Sequence, residues 1–179
     1  MIGEIAYKAI EDNRAKLVEV EKNIWENPEG PYREFKACQW TADVLKDAGF
    51  DVEIGVAGIP TAIKATWGSG HPVIGLLGEY DALPGMSQTH STHKEPIEGQ
   101  AYGQGCGHNL LGVAHLGGAI GLKAEMEAKN LPGTVVFYGC PAEEVLTGKP
   151  FMARGGAFDC LDMCIAFPPG KANQVLCGS

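Results

Sequence analysis

Apolar positions between Ile5 and Trp25 fall at 5, 6, 9, 10, 17, 18, 20 and 24, following one face of a helix rather than the alternation of a strand. The pattern predicts a helix that stops near Asn27-Pro28. Glu34 to Ala48 repeats it, with Phe35, Cys38, Trp40, Val44 and Leu45 on the apolar side and Gly49 placed as a C-terminal cap. The period then shortens. Asp51 to Val56, Thr61 to Trp67 and Val73 to Gly78 are β-rich runs separated by Gly-Ile-Pro and Gly-Ser-Gly-His-Pro, which predicts three strands, two of them joined as a hairpin.

No period runs from Pro84 to Gly105, where Gly, Ser, Thr, His, Pro and Gln dominate, so this stretch reads as a long loop of the kind that often carries function. Asn109 to Lys129 is apolar around most of its circumference before turning charged, which predicts a mostly buried helix. Pro132-Gly133 ends it, and Thr134 to Tyr138 reads as a strand running straight into Gly-Cys-Pro-Ala-Glu-Glu. A short helix over Pro150 to Gly156 and a strand over Met163 to Phe167 complete the pattern. This order predicts an α/β fold, a largely parallel central sheet flanked by helices, in one domain over residues 1–179. In such sheets ligands gather at the carboxyl ends of strands. Glu79 and Asp81, Glu143 and Glu144, and the loop after Phe167 all fall there.

Composition changes this picture little. The chain has 179 residues, 45% hydrophobic and 20% charged, which are ordinary globular values. Its 14 basic and 22 acidic residues leave a net charge of -8, which argues against nucleic acid or an acidic membrane surface as partner. Cys38, Cys106, Cys140, Cys160, Cys164 and Cys177 are scattered, and Met-Ile-Gly-Glu-Ile lacks the pattern of a secretory leader, so a reducing cytoplasmic setting is expected. No apolar run reaches the length of a membrane span.

Three segments carry candidate chemistry. Gly105-Cys106-Gly107-His108-Asn109 places a thiol and an imidazole two residues apart between glycines, a donor set suited to zinc; a buried cysteine beside a helix-capping histidine is the plainer alternative. Pro141-Ala142-Glu143-Glu144 leaves an apolar strand with adjacent carboxylates pointing different ways, so that one would bind a metal and the other act as general base; a solvated turn is the alternative. Asp81, in Gly-Glu-Tyr-Asp-Ala-Leu-Pro, would hold a metal-bound histidine in one tautomer or simply start a turn before Pro84.

Taken in order, Asp-Ala-Leu-Pro, Gly-Cys-Gly-His-Asn and Gly-Thr-Val-Val-Phe-Tyr-Gly-Cys-Pro-Ala-Glu-Glu resemble the M20 metallopeptidases, in the branch of aminobenzoyl-glutamate, hippurate and indole-acetyl-amino-acid hydrolases. The likeness extends from Ile24-Trp25-Glu26-Asn27-Pro28-Glu29 to the strand before Phe167. It implies the N-terminal part of a zinc-peptidase-like catalytic domain. Cys106, His108 and Glu144 match metal ligands, Glu143 the general base and Asp81 the supporting acid. It further implies two divalent ions, Zn or Mn, in a complete site, and hydrolysis of the amide in an N-acyl or aminobenzoyl amino acid or short peptide. A homo-oligomer is implied by the family's dimerising lid domain.

The resemblance fails at one place. A family histidine is expected after the strand ending at Phe167, where the chain reads Pro168-Pro169-Gly170, and proline offers a metal no side-chain donor. The family's lid domain and a last histidine ligand would fall beyond Cys177-Gly178-Ser179. Two readings follow: part of an amidohydrolase whose chemistry belongs to the whole protein, or a truncated, catalytically inactive family remnant that acts as a binding or interaction module through an uncovered sheet edge. Of the remaining histidines, His115 is two helical turns past His108 and is expected in the core, while His90 and His93 lie in the long loop.

Overall fold

The structure is a computed structural model that describes residues 3–168. The Pro169-Gly170 segment, Cys177 and the first two residues lie outside the described residues. Helices α1 (Glu4–Asp12), α2 (Arg14–Glu26) and α3 (Phe35–Asp47) precede strands β1 (Asp51–Ile54), β2 (Ile63–Ser69) and β3 (Val73–Glu79). Two short strands, β4 (Leu83–Pro84) and β5 (Tyr102–Gly103), bracket the long loop. Then follow α4 (His108–Lys129), β6 (Gly133–Cys140), α5 (Gly148–Arg154) and β7 (Met163–Ile165).

The one helix expected over Ile5 to Trp25 is two. Its periodicity is continuous, but Asn13 turns its side-chain amide back onto the Ala9 carbonyl at 2.9 Å, and this local hydrogen bond competes with helix propagation. The break lets α1 and α2 each lie against α4.

The α/β architecture is as expected. Strand order is β1-β2-β6-β3-β7, parallel across β6, β3 and β7 and antiparallel across β1, β2 and β6, so the sheet is mixed. The connections explain the division. Only a turn of 3-10 helix at Val56–Gly58 and a few flanking residues join β1 to β2, too few for a crossover, whereas α4 links β3 to its parallel neighbour β6. Strand β6 is buried along its whole length at the sheet's centre. On one face Val135, Phe137 and Leu76 pack with Leu116, Ala119 and Ile120 of α4 and with α2 and α3. On the other, Val136, Tyr138, Val73 and Leu77 pack with Met152 of α5.

Two glycines set how near α4 comes to the sheet. A Cβ on Gly112 would lie 2.2 Å from the Glu79 carbonyl oxygen, and one on Gly78 would lie 3.2 Å from the Gly112 Cα. Only their bare backbones let the N-terminal part of α4 close on the end of β3.

Candidate metal centre

Glu79 at the end of β3 pairs in parallel register with Cys140 at the end of β6, so both strands release their chains at the same sheet edge. Tyr80-Asp81 continues from one and Pro141 to Glu144 from the other, while α4 begins at the same edge with His108. The residues singled out in three separate motifs are therefore neighbours.

His108 is the hub, buried to 1% exposure. Its Nδ1 lies 3.0 Å from Asp81 Oδ1, and its Nε2 lies 3.2 Å from Glu79 Oε2, 3.6 Å from Glu143 Oε2 and 3.8 Å from Glu144 Oε1. Asp81 Oδ2 also accepts the Glu144 backbone N–H at 2.9 Å, so one buried carboxylate orients both the imidazole and the glutamate pair. Two overlapping triads, Cys106–His108–Glu144 and Glu79–His108–Glu143, each bring one donor atom per residue within 4.8 Å of the others. The first is the ligand set expected from sequence. Glu79 was legible there only as one acid of a cluster.

Four carboxylates around one imidazole create a strongly negative pocket. Burial would disfavour a charged His108, but the Asp81 hydrogen bond and the charges of Asp81, Glu79 and Glu144 outweigh it and raise its pKa above the ordinary value. Burial likewise raises the Glu144 carboxyl. Burial, then Glu144 and Glu143, push the Cys106 thiol up to about 11. Lys149, from the first turn of α5, forms an ion pair with Glu79, which raises the lysine against the opposing effect of its burial. Its sequence setting, a lone lysine after Thr147-Gly148, carries no signal of this role.

A divalent cation fits this set by an independent sign. Glu144 Oε1 is buried without a hydrogen-bond partner, the condition of an acceptor awaiting a cation. Thiol, imidazole and carboxylate are also donors that borderline divalent ions accept together. A cavity of about 120 Å³ opens here, lined by Glu79, Cys106, His108 and Glu143 and closed by Ala166, Phe167 and Pro168. Pro168 thus faces the centre where the family resemblance led to a histidine. Of the other histidines, His115 is buried with Nδ1 on the Leu111 carbonyl and stacks on Phe167 of the cavity wall, while His71 pairs with Asp162, His90 packs near Trp25 and His93 is exposed.

No protein-family model matches the chain. Among curated proteins it is 45% identical over 165 residues to one of the subunits of the p-aminobenzoyl-glutamate hydrolase of Escherichia coli, covering 90% of this chain and 34% of that protein. It is 31% identical over 186 residues to the Xaa-Arg dipeptidase of Mus musculus, covering 94% and 38%. The chain thus spans about a third of the length of these relatives. Among solved structures, a dinuclear metal-binding peptidase of the M20 family from Bacillus subtilis superposes with TM-score 0.71 at 21% identity, over 86% of this chain and 42% of that one. The aminobenzoyl-glutamate utilization protein of Klebsiella pneumoniae superposes with TM-score 0.63 at 16% identity, over 89% and 44%. These structures share the fold, and the sequence relatives match the chain across the span that holds all three motifs, so the chain belongs to the M20 family of peptidases and amidohydrolases.

Proposed function

We propose that this chain carries part of the active site of a metal-dependent amidohydrolase that cleaves the amide of an N-acyl or aminobenzoyl amino acid. The observation that carries the reading is the convergence of Cys106, Glu79, Glu143 and Glu144 on His108, with Asp81 behind it. Cys106, His108 and Glu144 would hold a zinc or manganese ion. Such an ion supplies Lewis acidity, polarising a carbonyl and making water acidic enough to lose a proton near neutral pH.

The glutamate pair divides its work by exposure. The Glu144 side chain is 14% exposed and that of Glu143 30%, so Glu144 is held inward and Glu143 turns to the open cavity. Glu143 would take the proton of the attacking water and return it to the leaving amine. Asp81 accepts from Nδ1–H of His108, which leaves the Nε2 lone pair directed at the cavity. The relatives act, by their names, on p-aminobenzoyl-glutamate and Xaa-Arg dipeptides, which supports a small amino-acid conjugate or peptide as substrate. The described cysteines are free, which supports the reducing cytoplasmic setting proposed from the sequence. No described helix is long and apolar enough to cross a membrane.

Pro168 supports a second reading, a binding module without bound metal, because it fills a lining position where a ligand would be expected. Elemental analysis separates the two. The purified chain is expected to retain about one divalent ion, and a Cys106→Ala/Glu144→Ala chain none. A wild-type chain that stays metal-free after incubation with Zn²⁺ or Mn²⁺ refutes the catalytic reading. Assays on p-aminobenzoyl-glutamate then test the substrate class.

A further inference from the structure

Glu34 is fully buried, at 0% exposure, far in sequence from every motif above. Its Oε1 accepts the backbone N–H of Tyr32 and of Ala142, each at 2.9 Å, and its Oε2 accepts the Thr61 hydroxyl at 2.8 Å. Both amides belong to residues with positive φ, 61° for Tyr32 and 56° for Ala142. That region brings a Cβ against the backbone, so such residues persist only where their surroundings hold them. Ala142 immediately precedes the Glu143-Glu144 pair.

We infer that Glu34 is a positioning residue, a buried clamp on the strained turn that aims Glu143 and Glu144 at His108. The turn is pinned on both sides of Glu143: the Ala142 N–H is held by Glu34 and the Glu144 N–H by Asp81. It also folds back on itself so tightly that a Cβ on Gly148 would lie 1.6 Å from the Pro141 carbonyl oxygen. The Tyr32 hydroxyl adds a second brace, donating to Thr147 Oγ1 at 2.7 Å. Residues 32–34 thus grip the turn at its start and at its end. Without the acceptor, the Ala142 amide would be buried and unpaired, and relaxing φ would swing both glutamates away. Burial raises the Glu34 carboxyl against the pull of its donors, and the grip itself lies in the three donors that converge on its two oxygens.

The inference rests on the metal-centre reading, and two isosteric variants test it. Glu34→Gln keeps the oxygen for both amides and offers its NH2 to the Thr61 hydroxyl. Glu34→Met fills the same volume with no adequate acceptor. Zn²⁺ affinity by calorimetry and amide hydrogen exchange at Ala142, Glu143 and Glu144 are the readouts, with circular dichroism as the check on folding. The Gln variant is expected within about threefold of wild type, and the folded Met variant to lose roughly tenfold to a hundredfold in affinity with faster exchange at those amides.

A folded Met variant that matches wild type overturns the inference. So does a Gln variant as impaired as Met, since charge would then be the cause. A Met variant that loses its fold outright makes Glu34 a residue of the fold, which also overturns it. If the wild type binds no Zn²⁺, the metal reading has failed on its own, and exchange in Met against Gln still decides the clamp.

Discussion

Asp81 orients two partners in the site at once, since one oxygen meets His108 Nδ1 at 3.0 Å and the other the Glu144 N–H at 2.9 Å. Asp81→Asn replaces one acceptor by a donor, which must face either the imidazole N–H or the Glu144 N–H. The cation affinity is expected to fall on the order of tenfold to a hundredfold, read by calorimetry with Zn²⁺. An unchanged affinity would mean that the imidazole orients itself. A second expectation concerns pH. The Cys106 thiol, raised to about 11 by burial and by Glu144 and Glu143, is protonated at neutrality. Ligation expels that proton, so affinity rises with pH, by up to about tenfold per pH unit. Cys106→Ala should flatten that slope between about pH 6 and about pH 8. The residue types of this centre were legible in the sequence because Cys-Gly-His and Glu-Glu stand at predicted element boundaries. Glu34 and Lys149 were not legible as parts of it, and Glu79 only as one acid of a cluster at a strand end. Each is a common charged residue whose role arises only when segments far apart in the chain meet.

At the scale of elements, the site depends on how closely α4 approaches β3. Gly112→Ala would set a Cβ 2.2 Å from a backbone oxygen that cannot move without distorting β3. The expected cost is about 1–3 kcal/mol of stability, with the start of α4, and so His108, displaced from Glu79. At Gly118 of the same helix a Cβ would instead meet the flexible end of Leu76 at 3.1 Å, so Gly118→Ala should be the milder change. Thermal midpoints of the two variants provide the comparison, and equal losses would refute the close-contact argument. The elements themselves were read from sequence with uneven success, for physical reasons. α4 and β6 are long or uniformly apolar and announce themselves. The two-residue strands β4 and β5 are too short to show a period and exist through tertiary pairing of Leu83 with Gly103 and Pro84 with Tyr102. The break at Asn13 arises from one side-chain hydrogen bond that apolar spacing does not register.

For the whole molecule, the centre ties together β3, α4, the turn after β6 and, through Lys149, α5, so an ion bound there links elements far apart in the chain. A ligand that binds the folded chain alone stabilises it by about 2.7 kcal/mol at a hundredfold excess over Kd. At roughly 2–4 °C per kcal/mol for a chain of this size, the thermal midpoint should rise by several degrees with Zn²⁺. Without an ion the same cluster opposes folding, because Glu144 is buried beside Asp81 and Glu143 with an unpaired oxygen. Its raised pKa means that the folded state binds the Glu144 proton more tightly than the unfolded state does. That contribution is therefore fully present below the unfolded carboxyl pKa and is lost as pH rises through the higher folded value. Glu144→Gln makes the neutral form permanent. In chelator near neutral pH it should raise the midpoint above that of wild type, and in Zn²⁺ it should abolish most of the ion-dependent rise. Opposite signs in the two conditions distinguish a carboxylate retained for a cation from one retained for the fold. A midpoint that falls in both conditions would show that Glu144 stabilises the chain by itself, and the argument for a cation at this edge would lose its support.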